Sequence, residues 1–403
     1  MATVRAATIW ATVLAAASAA AGGEDLPRVT TVDGESFSGR LVSIARGEAI
    51  FRTAEASRSV PLTQMWSIRF GPHADLMARP GRTVVALTGE QRLGAEGLTV
   101  REGKVSLETR LLGAVTVDMG AVRAVYLPRG DQLPRACRRR HRQMRLPEAG
   151  HDYLIAQNDK GQWVPAPGVL KSVVGRTVAF EFGGRDRTIA LDSVRVIELA
   201  RVAGDRAAPA GHLIGTDGSR VAFESLTFAG GSLSISAEGL EAKSVDLAAV
   251  AEVRFASGRC VHLADLTPAK VAQVGLFDVA FGFRRDASTA GGPLSLDGVT
   301  YARGLGLHSR CELTYDLDAA YETFAATAGI DDAAGGRGNA TLTVLGDGRE
   351  LIRPVKLTGA GGPVHVRCDV TGVKRLTILV DFGDDKVDVG DHVDLAEARL
   401  VKP

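Results

Sequence analysis

The sequence predicts an all-β protein. Most segments are short, rich in Val, Ile, Leu and Thr, and separated by turns that contain glycine, which is typical of strands joined by tight hairpins. The 403 residues include 47 glycines, and hairpin turns need positive φ angles that glycine adopts without strain. Helical periodicity is scarce. We therefore expect several β domains rather than a helical or mixed fold.

The first 23 residues are predicted to be a signal peptide. Residues 1–5 carry a positive charge, residues 6–21 form an uncharged alanine-rich run, and small residues before Glu24 offer a cleavage site. An uncleaved membrane anchor is the alternative, but this run is shorter and less apolar than the ~20 apolar residues of a membrane span. The mature chain is therefore expected to be secreted, or to lie in the periplasm or cell envelope of a bacterium.

Charge and cysteine content narrow the function. The chain has 48 basic and 47 acidic residues, a formal net charge of +1, so the composition does not favour nucleic acid as a partner. Its four cysteines are far apart and form no C-x-x-C pair, which argues against a structural zinc cluster. A disulfide between Cys311 and Cys368 stays open, because an oxidising compartment would permit it.

Four segments of about 45 residues share a weak pattern: an apolar strand, a turn of the Asp-Gly type, two further strands and an apolar closing strand. We place them at residues 26–72, 82–128, 151–200 and 210–257. Five strands in that length, with a last strand that can pair with the first, resemble a small Sm-like or SH3-like barrel. Such barrels can bind RNA, but these turns are acidic or neutral and aromatic residues are few. The repeats are therefore expected to be spacer or interaction modules.

A basic stretch bracketed by prolines separates the second and third repeats, at residues 129–150. A run of like charges is usually a solvated linker, which is the prediction we adopt. Contact with an anionic surface, such as lipid head groups or an acidic polysaccharide, is the alternative.

The last region, residues 262–403, contains several recognisable motifs in order. They are LSLDGVTYARGLGLHSR from residue 294, the acidic, glycine-rich GIDDAAGGRGN from residue 329, and DHVDLAEA from residue 391. These motifs resemble the NPCBM carbohydrate-binding module, which occurs beside glycoside hydrolase domains. The resemblance covers about 140 residues. It implies a galactose-binding-like jelly-roll β-sandwich, and one departure is Leu395, where the family usually has Trp.

Candidate carbohydrate-binding residues lie in the predicted loops of this region, since loops on a rigid scaffold commonly carry function. Carboxylates, amides and guanidinium groups can form paired hydrogen bonds with adjacent sugar hydroxyls. The candidates are His308, Asp331, Asp332, Arg337, Asn339, Asp391, His392 and Asp394. Structural roles stay open for several of them: His308 can be a buried core residue, Asp331 and Asp332 can cap a turn, and Asp391 or Asp394 can hold the final strand.

A cofactor is not predicted with certainty, and calcium stays possible. Six aspartates fall within residues 381–394 and could supply the oxygen ligands that Ca²⁺ prefers. They do not follow the EF-hand order with its closing glutamate, so a solvated acidic loop is the simpler interpretation.

The sequence predicts a binding protein rather than an enzyme. It contains no G-x-S-x-G elbow, H-E-x-x-H helix or P-loop, and Asp331 and Asp332 are neighbours that would face opposite sides of a strand. The predicted function is carbohydrate binding by the last domain, with the repeats as spacer. The alternatives are an envelope protein that interacts with other proteins and has no sugar affinity, and, less favoured, a glycoside hydrolase.

Overall fold

The computed structural model describes residues 26–71, 82–88, 91–127, 150–200, 208–237, 240–275 and 281–403, without the side chains of 240–242. The predicted signal peptide, and nearly all of the basic linker with Cys137, lie outside these residues. Within them the secondary structure consists of strands and short 3-10 turns without an α-helix, which confirms the all-β prediction. Accordingly, none of the described residues forms an apolar helix long enough to cross a membrane.

The N-terminal part contains four five-stranded units, which we call units 1 to 4. In unit 1 the strands are β1 (Arg28–Thr31), β2 (Ser36–Ser38), β3 (Arg40–Ala45), β4 (Glu48–Arg52), β5 (Ser57–Pro61) and β6 (Met65–Arg69), with β2 and β3 as two halves of one bent strand. Unit 2 has β7 (Thr83–Leu87), β8 (Arg92–Arg101), β9 (Lys104–Thr109), β10 (Gly113–Asp118) and β11 (Val122–Tyr126).

Units 3 and 4 repeat this order. Unit 3 has β12 (Asp152–Gln157), β13 (Trp163–Val174), β14 (Thr177–Phe182), β15 (Arg185–Ala190) and β16 (Val194–Glu198). Unit 4 has β17 (Gly211–Gly215), β18 (Arg220–Phe223), β19 (Ser225–Ala229), β20 (Ser232–Ala237), β21 (Leu240–Val245) and β22 (Val250–Phe255), with β18 and β19 as two halves of one strand interrupted at Glu224. A 3-10 turn precedes the last strand of each unit, at Leu62–Gln64, Met119–Ala121, Leu191–Ser193 and Leu247–Ala249.

In each unit the last strand pairs antiparallel with the first, as the repeat pattern predicted. The last strands also pair with one another: β6 with β22, and β11 with β16. Unit 1 is thereby joined to unit 4, and unit 2 to unit 3. A single hydrophobic cluster contains buried side chains of all four units. The division into separate domains stays a prediction.

The C-terminal part is a sandwich of two antiparallel sheets. The front sheet contains β23 (Cys260–His262), β25 (Arg284–Arg285), β28 (Gly304–His308), β30 (Thr323–Ile330), β34 (Val364–Asp369) and β36 (His392–Val401). The back sheet contains β24 (Lys270–Gln273), β29 (Cys311–Asp316), β31 (Asn339–Gly346), β32 (Arg349–Glu350), β33 (Val355–Thr358) and β35 (Arg375–Phe382). Two 3-10 turns, Leu263–Asp265 and Asp332–Ala334, complete it.

The core lies between these two sheets, and apolar side chains from both fill it. Leu395 is fully buried there, so the departure from the family's usual Trp lies in the core. Cys311 and Cys368 are also buried and are free thiols, so the disulfide left open by the sequence is not formed.

A small hairpin covers one half of the front sheet's outer face. It consists of β26 (Leu294–Leu296) and β27 (Val299–Tyr301). The hairpin and the chain before it approach closely because glycines face them: a Cβ on Gly306 would lie 2.2 Å from the carbonyl oxygen of Ala287. A Cβ on Gly329 would lie 2.9 Å from Leu296 Cδ2.

Units 1 and 4 cover the other half of this face. The register between β30 and β36 shifts, and Glu397 has a positive φ of 54°. The Glu397 carboxylate accepts a hydrogen bond from Trp66 Nε1 at 2.8 Å and forms an ion pair with Arg254 at 2.5 Å. Arg399 donates to the carbonyl oxygens of residues 31 and 32 in unit 1. A buried polar network thus connects the sandwich to two of the units.

Candidate functional site

Asp332 braces the hairpin. Its carboxylate accepts hydrogen bonds from the backbone N–H groups of Asp297 and Gly298, both at 2.9 Å, and from the Ser295 hydroxyl. A turn whose N–H groups point at a carboxylate is stabilised in this way. Although Asp332 is exposed, these hydrogen bonds stabilise the turn of the hairpin, which is a structural role.

Asp331 and Asp394 lie behind the same hairpin. Asp331 Oδ1 accepts from the N–H of Ala333 at 2.8 Å and caps the short 3-10 turn. The N–H of Ser295 donates to Asp394 Oδ2 at 2.8 Å and to Asp331 Oδ2 at 3.3 Å, so the two carboxyl groups are adjacent. Burial, and then the hydrogen bond and charge of Asp331, raise the pKa of Asp394 to about 10. Asp394 therefore holds a proton at neutral pH.

Asp391 connects the front sheet to the back sheet. It is fully buried, and its carboxylate accepts from the N–H of Asn339 at 2.8 Å and from the Ser309 hydroxyl. Burial raises the pKa of this carboxyl group. Asn339 begins β31, and its backbone oxygen accepts from the N–H of Gly383 at 2.7 Å. Both residues hold strand ends in place.

Three aromatic rings meet at one end of the front sheet. His308 and His392 are cross-strand partners on β28 and β36, with ring centroids 5.0 Å apart. The ring of Phe281 stacks on His308 at 4.1 Å and meets His392 edge-on at 6.2 Å. His308 is buried beneath this ring, whereas Phe281 is 41% exposed. The result is an aromatic surface with imidazole groups at its edge.

The hydrogen bonds of the two imidazole rings define their tautomers. His308 Nδ1 lies 3.0 Å from the carbonyl oxygen of Ser309, which can only accept, so Nδ1 carries the proton. The Thr289 hydroxyl donates to the carbonyl oxygen of Leu307 at 3.2 Å and lies 2.9 Å from His392 Nδ1. Because that hydroxyl has one proton, His392 Nδ1 donates to it. When the ring is neutral, Nε2 of each histidine is then an acceptor.

Arg337 completes the group. It is exposed, its Nε donates to the carbonyl oxygen of Ala334 at 3.2 Å, and the loop that carries it packs on Gly390. The pKa of His392 is lowered by burial and by electrostatic interaction with His308 and Arg337. We call Phe281, His308, His392 and Arg337 the ring patch.

The ring patch brings together three of the eight predicted residues: His308, Arg337 and His392. The four aspartates and Asn339 hold the hairpin and the strand ends instead. Phe281 was missed by the sequence analysis. Its signal was the apolar residues at alternate positions 277, 279, 281 and 283, in a stretch between strands that the sequence analysis did not single out.

Asp331 and Asp332 also line a cavity of about 180 Å³, on the side of the hairpin that faces residues 359–363. Three aspartates, backbone groups and aliphatic side chains form its walls, and the described residues that line it include no aromatic ring. The ring patch therefore offers the stacking surface that this cavity does not.

Two of the six aspartates at residues 381–394 form ion pairs. Lys356 pairs with Asp384 at 2.8 Å, and Arg310 pairs with Asp381 at 3.7 Å. Within the described part of the chain, no group of three or more His, Cys, Asp and Glu side chains is arranged to hold a metal ion.

Comparison with known families identifies the C-terminal region. Residues 259–401 match the family described as the NPCBM/NEW2 domain. An NPCBM/NEW2 domain occupies this part of the chain. It is a carbohydrate-binding type of domain, and its two-sheet sandwich agrees with the fold that the motifs implied.

Individual relatives match parts of the chain. A protein of Renibacterium salmoninarum named "Putative endo-alpha-N-acetylgalactosaminidase" is 34% identical over 90 residues, which are 22% of this chain and 6% of that protein. The chain thus spans a small fraction of this relative's length.

Two solved structures from Clostridium perfringens resemble part of this chain. The CBM51 module of a GH95 protein, in complex with methyl-galactose, is 25% identical and covers 35% of this chain and 99% of its own, with a TM-score of 0.32. The second, containing CBM51-2 in complex with GlcNAc and the INT domains of ZmpB, is 20% identical. The match spans 46% of this chain and 42% of the chain in that structure, with a TM-score of 0.32.

Proposed function

We propose that this protein is an exported, non-catalytic carbohydrate-binding protein whose NPCBM/NEW2 domain holds a glycan at the ring patch. The observation that carries the proposal is the half-exposed ring of Phe281, stacked on His308 beside His392. An aromatic face packs against the C–H surface of a sugar ring, and a few fixed polar groups then select its hydroxyls.

The polar groups of the ring patch match hydroxyl chemistry. His392 Nε2 can accept a hydrogen bond from a hydroxyl, and the guanidinium of Arg337 can donate to two adjacent oxygens. His308 is only 3% exposed and supports the ring of Phe281 from below. Because strands β28 and β36 carry the two histidines, their positions are fixed before a ligand binds. Preorganised groups lose little entropy on binding.

The nearby carboxyl groups support binding rather than hydrolysis. Hydrolysis of a glycosidic bond commonly uses two carboxyl groups on opposite sides of the substrate. Asp331, Asp391 and Asp394 are buried and accept hydrogen bonds from neighbouring backbone and side-chain groups. In the same proposal, units 1 to 4 are spacer or protein-interaction modules.

Phe281→Ala tests the ring patch. We expect glycan affinity to fall about tenfold, because loss of a stacking surface costs on the order of 1.4 kcal/mol. The measurement is a glycan array with the full chain, followed by calorimetry on each positive glycan, with methyl-galactoside and N-acetylglucosamine among the probes.

Phe182→Ala is the matched control, because Phe182 is 46% exposed and belongs to unit 3 rather than to the sandwich that carries the ring patch. It should leave affinity unchanged. Equal affinities of both variants and the wild type would reject the ring patch, and a folded wild type without any glycan ligand would favour the protein-interaction alternative.

Export rests on residues 1–23 and is tested at the N terminus. In a bacterial host, the full gene should yield secreted or periplasmic protein whose first residue lies near positions 21–24, since the leader has the features of a cleaved signal peptide. N-terminal sequencing of each cell fraction provides the measurement. A product that keeps Met1, whether in membranes or in the cytoplasm, would contradict cleavage.

A further inference from the structure

A cleft of about 230 Å³ lies between unit 1 and the front sheet of the sandwich. Three elements form it. The hairpin contributes Val299 and Tyr301, the front sheet contributes Thr327 to the floor, and unit 1 contributes Arg28 and Arg69. Neither the sandwich nor unit 1 alone would make this cavity.

The two sides of the cleft are held together by specific contacts. Arg367 on the front sheet donates to the Asp33 carboxylate at 2.8 Å and to its carbonyl oxygen at 2.6 Å. Gly34 follows in the same turn of unit 1, and a Cβ there would lie 3.0 Å from the Cβ of Ala325. The cleft walls are therefore fixed by close packing and by a charged pair.

The cleft carries an uncompensated positive charge. Arg69 has a partner in Glu252, at 3.4 Å, and lies 5.5 Å from the ring centroid of Tyr301. Arg28 is exposed at the cleft, and its guanidinium has no hydrogen bond or ion pair with a described residue. Partial desolvation in the cleft and the adjacent charge of Arg69 lower the pKa of Arg28, although its side chain still reaches solvent. An anion between these two groups would relieve their repulsion.

The acidic residues of the cleft do not remove this charge. Glu397 is already paired with Arg254 at 2.5 Å and accepts from Trp66, and Asp297 lies at the exposed hairpin turn. His365 does not supply a further cation, since burial and then the charges of Arg28 and Arg69 lower its pKa to about 4.

The remaining lining selects the kind of anion. Val299, Tyr301 and the alanines of β30 offer apolar surface, while Thr30 and Thr327 offer hydroxyls. The volume is below the about 300–1,000 Å³ of sites for drug-sized ligands, so it suits a single ring. We propose that this cleft is a second binding site, which takes one acidic sugar residue with its carboxylate on Arg28 and Arg69. This site is separate from the ring patch and does not depend on it.

Glucuronate binding to the full chain tests the proposal. By calorimetry we expect saturable binding of glucuronate, and binding of glucose and of acetate at least tenfold weaker, because one lacks the carboxylate and the other lacks the ring. Arg28→Gln should weaken glucuronate binding about tenfold or more, as expected for loss of a charge-assisted hydrogen bond. The affinity of Arg28→Lys for glucuronate should lie between those of the wild type and Arg28→Gln, since lysine keeps the charge and lacks the planar guanidinium group.

Arg52→Gln is the matched control, because Arg52 is an exposed arginine of the same unit on the end of β4, outside the lining of the cleft. It removes the same charge and should leave affinity unchanged. Phe281→Ala should also bind glucuronate like the wild type, and a loss there would move the ligand to the ring patch and overturn the cleft.

Three other results would reject the proposal. They are a folded wild type that does not bind glucuronate, equal binding by Arg28→Gln and the wild type, and acetate that binds as strongly as glucuronate. The last result would make the cleft a simple anion site. Circular dichroism and thermal unfolding of each variant establish that it is folded before binding is compared.

Discussion

The hairpin β26–β27 and the ring patch are neighbouring regions at the front sheet that use their polar side chains in opposite ways. At the hairpin, Asp331, Asp332 and Asp394 accept hydrogen bonds from backbone N–H groups. At the ring patch, His308 and His392 each use one ring nitrogen internally. The difference shows that a polar residue is a candidate binding group when it keeps hydrogen-bonding capacity at an accessible surface, as His392 does, and is structural when its capacity is used within the fold.

The largest effect we expect is a pH dependence of the free energy of unfolding, caused by Asp394 behind the hairpin. Its pKa of about 10 in the folded protein exceeds the ~3.9 of an unfolded aspartate, so the folded state keeps a proton that the unfolded chain releases. The stability that Asp394 contributes to the folded protein is fully present below about pH 4 and is lost as the pH rises towards 10. The free energy of unfolding should fall by at most about 1.4 kcal/mol per pH unit across that window.

The Asp394→Asn variant isolates this effect. Asparagine keeps the shape and can donate to Asp331, but it does not titrate, so the alkaline loss of stability should be smaller than in the wild type. Urea unfolding at pH 6, 7.5 and 9 gives the slope of the free energy of unfolding against pH for the wild type and for the variant. Parallel slopes would show that Asp394 is ionised in the folded protein and that the hairpin is braced differently.

The strand pattern was predictable because local physical chemistry determines it. In β31 buried and partly exposed residues alternate along Asn339–Gly346, as expected for a strand with one face in the core. The pairing of unit 1 with unit 4 was not predictable, since all four units end in similar apolar strands. Which of these strands meet depends on the packing of the whole chain.

The ring patch was predicted in part for a similar reason. His308 and His392 were chosen from their motifs, but 84 residues separate them, and only the register of β28 against β36 makes them neighbours. Phe281 reaches them from a third segment. The aspartates gave the same sequence signal as a sugar site, because a carboxylate that binds hydroxyls and one that caps a turn occur in the same glycine-rich, polar contexts.

Asp391→Ala is the smaller of the two stability effects and tests whether the buried aspartates are structural. The change leaves the N–H of Asn339 and the buried hydroxyl of Ser309 without their acceptor, which should cost about 3 kcal/mol. Asp391→Asn is the control, because its amide oxygen can accept from Asn339 while its NH₂ donates to Ser309. Chemical unfolding should therefore rank the wild type as most stable, Asp391→Asn second and Asp391→Ala last.

Glycan binding by the folded fraction of each Asp391 variant should match the wild type, since Asp391 has no exposed surface. If Asp391→Ala were as stable as the wild type but no longer bound glycan, the residue would belong to the binding site. The distinction between structural aspartates and the residues of the ring patch would then be wrong.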